Sequence, residues 1–185
     1  MPQVETQPST PLRQRIGWLC QLLRWAAATY ALWILAAVGF YWSDPDRVRR
    51  HWSLWLRIDV PEPAAWQLAL GFAVHFAIWL PAAAACYAVW RLFSGYLAGR
   101  IFTADATVWL RRIGVFGLVA QFADMLARPV VSMIVTANMP TGSRIVSVFA
   151  NPPDLLNVLF LTGFVALAHI FRAAVELADE HAQIV

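Results

Sequence analysis

Residues 64–90 read AAWQLALGFAVHFAIWLPAAAACYAVW, 27 positions without one charged side chain. A helix needs about 20 predominantly apolar residues to cross roughly 30 Å of hydrocarbon, so this stretch is long enough to span a bilayer, and that decides the fold class. Working outward, Ile16–Trp42 is interrupted only by Arg24, and Trp25–Trp42 within it gives 18 consecutive uncharged residues. Ile113–Ala137 is apolar apart from Asp124 and Arg128. Leu155–Phe171 adds 17 uncharged residues, with Asn157 and His169 as its more polar members. The expectation is an all-α membrane protein, a bundle of four transmembrane helices over about 16–42, 64–90, 113–137 and 154–171. They form one domain over 16–185, preceded by a disordered cytoplasmic tail over 1–15.

Composition points the same way. The 185 residues are 60% apolar and 14% charged, with a mean hydropathy of +0.57. A soluble domain is about 45–50% apolar and about 25% charged, which excludes that class. Disorder and a collagen-like repeat are excluded as well, and two cysteines cannot staple a chain of this size. Ten tryptophans and four tyrosines suit the membrane–water interfaces. The first span is too long for the 7–15 apolar residues of a signal peptide, and no small-residue cleavage site follows Trp42.

Orientation follows from the arginines, which account for all 14 basic residues. With the N-terminus inside, Arg13, Arg15, Arg24, Arg91, Arg100, Arg111, Arg112 and Arg172 face the cytoplasm. Arg47, Arg49, Arg50, Arg57, Arg128 and Arg144 then lie on the outer side, a weak excess that favours both termini inside. In the first outer loop, Ser43-Asp44-Pro45-Asp46 offers a helix cap followed by proline, predicting a short interfacial helix through Trp52. Trp52–Val60 then alternates bulky and polar residues and stops at Pro61, which reads as a strand. Arg144–Ala150 (RIVSVFA) is a second β-branched run on the same side. The two would pair into a small two-stranded extracytoplasmic β cap, although short apolar runs are ambiguous. Gly95 and Gly99 have the four-residue spacing of close helix contacts, but lie past the second span where a flexible loop is the better reading.

Two stretches carry a family resemblance. Gly99-Arg100-Ile101-Phe102-Thr103-Ala104, followed by Trp109-Leu110-Arg111-Arg112-Ile113-Gly114, resembles the inner loop of the domain-of-unknown-function 2975 family of bacterial membrane proteins. Ile145-Val146-Ser147-Val148, Pro153-Asp154-Leu155-Leu156, Phe171-Arg172 and Glu176-Leu177-Ala178-Asp179-Glu180 resemble that family's closing strand, fourth helix and acidic tail. The resemblance covers roughly 15–185. It implies four transmembrane helices with cytoplasmic termini in the bacterial inner membrane, supplies no activity, and suggests a cytoplasmic helix-turn-helix regulator as partner. His169 and His181 depart from the family pattern, so histidine chemistry would be particular to this chain.

Among candidate sites, Asp124 and Arg128 stand out, because charges inside a span are costly and usually paired or functional. Their i,i+4 spacing puts both on one helix face, and His75 lies at a similar depth. The three form a candidate intramembrane polar cluster, an ion relay or ligand site. The alternative is a self-neutralising pair beside the helix break at Pro129. Arg100, Arg111, Arg112, Glu176, Asp179 and Glu180 are candidates for cytoplasmic interaction. His75 and His169 would be the axial pair of a haem, a third reading. No GxSxG, HExxH, Walker or GxGxxG motif is present, so no catalytic residue, metal or cofactor is expected and the chain reads as non-enzymatic. The arginines flank helices rather than forming one basic face, which argues for lipid phosphates rather than direct nucleic-acid binding. The leading expectation is a membrane sensor or regulator coupled to a cytoplasmic transcription regulator. The alternative is a small transport or permeability component working through Asp124, Arg128 and His75.

Overall fold

The computed structural model describes residues 10–100, 103–140 and 144–183, with side chains described between 17 and 177. The chain forms five helices: α1 (Thr10–Trp42), α2 (Pro45–Leu56), α3 (Ala65–Leu97), α4 (Ala104–Val135) and α5 (Pro152–Gln183). All but α2 are long and apolar enough to cross a membrane. Helix α1 takes in residues 10–15 of the expected tail; residues 1–9 lie outside the described residues.

The spanning helices stand in an open row rather than a closed bundle. Helix α1 packs on α3, α3 on α4, and α4 on α5, while α1 and α5 share no substantial contact. In lipid, an apolar face gains nothing by leaving hydrocarbon, so helices associate where side chains interlock or small residues allow close approach. Such approach occurs between α4 and α5, where a Cβ on Gly114 would lie 2.6 Å from Val165 and 2.9 Å from the Leu161 carbonyl, and Gly117 meets the Leu161 side chain. It occurs again between α1 and α3, where the Trp42 ring lies across Gly71. Trp79 Nε1 donates to the Ala31 carbonyl at 2.9 Å, tying the same pair together.

Two buried clusters hold the helices together, one at each end of their length. At the end bearing α2, Trp42, Val48, Trp52, Val60, Val131 and Val135 pack together. At the opposite end, next to the α3–α4 loop, the cluster is Ala88, Leu92, Ala106, Leu110, Ile113 and Ala168. Helix α2 begins as its sequence predicts, with Asp44 Oδ1 accepting from the amides of Asp46 (3.0 Å) and Arg47 (3.2 Å) ahead of Pro45. It runs on to Leu56 because Val48 and Trp52, four apart, share the face that meets the core.

That extension overturns the predicted β cap. Trp52–Leu56 is helical, and the chain leaves the helix through Arg57 in the left-handed region (φ 54°) before Val60 donates its amide to Ser53 Oγ. Residues 144–150 form no helix and no strand among the described residues. The Ser147 amide instead donates to Ser132 Oγ on α4 at 3.0 Å, so a side chain takes the bond that a second strand would have supplied.

Replacing Gly71 with alanine forces the Trp42 ring out of its seat. Overpacking of this kind costs about 1–3 kcal/mol, and the melting temperature in detergent is expected to fall. Gly39→Ala, with nothing within 4 Å of the added Cβ, is the matched control; it should leave stability unchanged or raise it by about 0.5–1 kcal/mol.

Candidate functional site

The polar centre of the molecule is Arg128 on α4. Its guanidinium forks onto the Asp154 carboxylate, Nη1 to Oδ2 at 2.6 Å and Nη2 to Oδ1 at 2.7 Å. It also reaches Asp124 Oδ2 from Nε (3.2 Å) and Nη2 (2.8 Å). A planar five-donor fork suits this double engagement, which a lysine could not reproduce. Side-chain exposure separates the partners, with Asp154 7% exposed, Arg128 17% and Asp124 44%. Asp154 is therefore the buried anchor and Asp124 the open one.

Local sequence explains the anchor. Asn151-Pro152-Pro153-Asp154 opens α5; the Asp154 amide donates to the Asn151 carbonyl (2.9 Å), and the Asn151 amide donates back to Asp154 Oδ2 (2.8 Å). The carboxylate is thereby fixed at the helix start, where the macrodipole favours negative charge. Gln121 Nε2 adds a bond to Asp154 Oδ1 at 3.1 Å, and Asn157 Nδ2 donates to Gln121 Oε1 at 3.1 Å. The guanidinium also lies 5.1 Å from the Phe149 ring centroid, so the 144–150 segment closes over it.

One cation against two carboxylates leaves a formal negative charge beside a cavity of about 60 Å³, lined by Trp52, His75, Asp124, Ala127, Arg128 and Val131. The predicted cluster of Asp124, Arg128 and His75 thus meets at one cavity. His75 Nδ1 lies 3.0 Å from the Gly71 carbonyl. A hydrogen on Nδ1 makes that contact a hydrogen bond. The space admits water or a small polar species. Chemically, it offers a carboxylate, a guanidinium and an imidazole to one such guest.

Sequence reasoning missed Asp154, Gln121 and Gln67. Nothing in spacing along the chain marks Asp154 as a partner, since it lies 26 residues from Arg128. Fully buried Gln67 donates to the Ile134 carbonyl at 2.6 Å and accepts from Asn138 Nδ2 at 2.6 Å and the Ala64 amide at 2.7 Å. It caps the end of α4 with a side chain from α3. A lone glutamine at the start of an apolar span was the available signal.

The other candidate residues fall near the α3–α4 loop, in two groups. Arg100 and Asp105 border a cleft with Trp109, whose ring has Arg112 at 4.5 Å and Arg91 at 5.1 Å. Arg111 lies in a different groove with His169 and Arg172, and Arg172 pairs with Glu176 at 2.7 Å. Asp179 and Glu180 continue α5, and their side chains lie outside the described residues. The axial-histidine reading is overturned. His75 lines a cavity at Asp124–Val131 and His169 one at Thr107–Arg111, about 20 Å apart along α4 at 1.5 Å per residue. Among the described residues no group of three or more His, Cys, Asp or Glu side chains could hold a metal ion.

Four long apolar helices with charge confined mainly to their ends define a multi-pass membrane protein. The chain belongs to the family described as protein of unknown function (DUF2975), which matches residues 51–185. Residues 15–50, included in the resemblance read from the sequence, fall outside that match. No curated protein and no solved structure matches the chain.

Loss of either carboxylate separates their roles. Asp154→Asn strips the buried guanidinium of its bidentate partner and is expected to lower the detergent melting temperature clearly. Asp124→Asn, at the exposed side, should lower it less; equal losses in thermal unfolding would contradict the assignment of Asp154 as anchor.

Proposed function

We propose that this protein is a non-enzymatic component of a bacterial inner membrane, with both termini cytoplasmic, that acts as a sensor or regulator. The observation that carries the reading is the linkage of α4 and α5 through Arg128 at one end of two unbroken 32-residue helices. The same helices bear Arg111, Arg112, Arg172 and Glu176 near the other end. A guest in the cavity that engages Asp124 competes with Arg128 for that carboxylate, while Asp154 keeps its hold. Two states follow, with Arg128 shared or committed to Asp154, and they differ in how α4 meets α5. A ligand shifts such an equilibrium only by its difference in affinity for the two states.

The output surface is the Trp109 cleft, where Arg91, Arg100 and Arg112 outnumber Asp105, and its partner is a cytoplasmic helix-turn-helix regulator with a complementary acidic patch. Orientation rests on charge. On the α2 side Arg47 pairs with Asp44 (3.1 Å) and Arg49 with Asp46 (3.9 Å), leaving that face nearly balanced. The arginine excess then belongs to the cytoplasm.

Purification of the tagged full chain from its native membrane should bring down a DNA-binding protein, identified by mass spectrometry. Arg100→Gln with Arg112→Gln should lose it, and Arg49→Gln with Arg50→Gln should retain it. The competing transport reading has in its favour that Asp124, Arg128 and His75 line one cavity. Ion flux in proteoliposomes that disappears with Asp124→Asn, without any regulator recovered, would replace the first reading with the second.

A further inference from the structure

Bond by bond, the network around Arg128 is complete except at one atom. All five guanidinium N–H groups have acceptors: Nε and Nη2 reach Asp124 Oδ2, Nη2 also reaches Asp154 Oδ1, and Nη1 reaches Asp154 Oδ2 and the Phe149 carbonyl (3.5 Å). Each Asp154 oxygen accepts twice, Oδ1 from Gln121 and Arg128, Oδ2 from Asn151 and Arg128. On Asp124 both bonds fall on Oδ2. Its Oδ1 has no hydrogen-bond partner among the described residues, and the side chain is half-exposed and lines the 60 Å³ cavity.

What this cavity lacks is a hydrogen-bond donor. An anion finds no unused N–H on Arg128 and meets the surplus charge of two carboxylates on one guanidinium. A cation balances that surplus, which matters most among apolar helices, where uncompensated charge is costly. The remaining walls narrow the class. A hard divalent metal ion takes about six oxygen ligands, whereas beyond Asp124 and Arg128 the lining is the Trp52 and His75 rings with Ala127 and Val131. An indole wall suits an ammonium group. The space holds a few water-sized groups, enough for an amine of a few heavy atoms. Trp52 comes from α2, which is not one of the spanning helices, so a guest reaches the cavity from the α2 side.

We propose that this cavity binds a small primary ammonium ion, which donates to Asp124 Oδ1 beside the Trp52 and His75 rings. The proposal deepens the sensor reading, and the ion's role as signal rests on that reading. An ammonium group attracts the Asp124 carboxylate and repels the Arg128 guanidinium. Binding therefore favours the state in which Arg128 is committed to Asp154, which supplies the difference in affinity that a shift between two states requires.

The test is equilibrium dialysis of radiolabelled methylammonium against the full-length protein in detergent, at fixed ionic strength. Wild type should bind it saturably, with unlabelled ammonium competing and sodium and acetate failing to compete. Tetramethylammonium, which has the charge but no N–H, should compete at least about tenfold more weakly, the cost of a lost charged hydrogen bond. This competition series needs only wild type. Asp124→Asn should abolish binding, and Ala127→Val, which narrows the cavity without changing charge, should weaken it; melting curves without ligand establish that each variant is folded. Asp46→Asn, at the exposed start of α2, should bind as wild type does. Absence of saturable binding, equal competition by sodium or tetramethylammonium, or undiminished binding in folded Asp124→Asn would each overturn the proposal. The sensor reading fails separately: saturable binding that leaves recovery of the cytoplasmic regulator unchanged removes the signal while the site stands.

Discussion

A guanidinium placed among apolar helices must find its counter-charge inside the protein, and that constraint organises the α2 end of this molecule. Arg128 cannot be left unpaired there without a large desolvation penalty. The partner that meets the need is not its neighbour on the same helix but Asp154, fixed by the first turn of α5. Placing that carboxylate sets the start of α5 beside α4, brings Gln121 and Phe149 into the same network, and leaves Asp124 as the less buried acid facing the cavity with His75.

The rest of the architecture follows from how little the hydrocarbon itself contributes. The spanning helices are apolar around most of their circumference, so contact is localised where backbones approach or rings interlock. Gly114 and Gly117 admit Leu161 and Val165, and Gly71 admits Trp42. The result is a row, with α1 and α5 each held from one side. The polar networks at the α2 end, centred on Arg128 and Gln67, supply specificity that apolar packing does not.

Much of the fold is legible in the sequence because the bilayer imposes a length on every span. Uninterrupted apolar runs such as 64–90 need no tertiary information. The start of α2 is equally local, written in Asp44 and Pro45. Its end was misread because Trp52–Val60 fits a period of two when taken alone, and only the pairing of Val48 with Trp52 on one face reveals the helix. At the site, Asp124 and Arg128 are found by i,i+4 spacing and His75 by depth. Asp154 and Gln67 reach partners 26 and 67 residues away, the close approaches at Gly114 and Gly117 went unmarked, and Gly95, read as loop, lies within α3. The family assignment adds membership without an activity, so the chemistry rests on these side chains.

The most direct measurement is a double-mutant cycle on Arg128→Gln and Asp154→Asn, read as thermal unfolding of the full chain in one detergent. If Arg128 and Asp154 form the unit on which the α4–α5 junction depends, the double variant is no less stable than the worse single variant. The coupling also exceeds that of the parallel cycle with Asp124→Asn. Additive losses for Arg128 and Asp154, or a larger coupling to Asp124, would contradict the account.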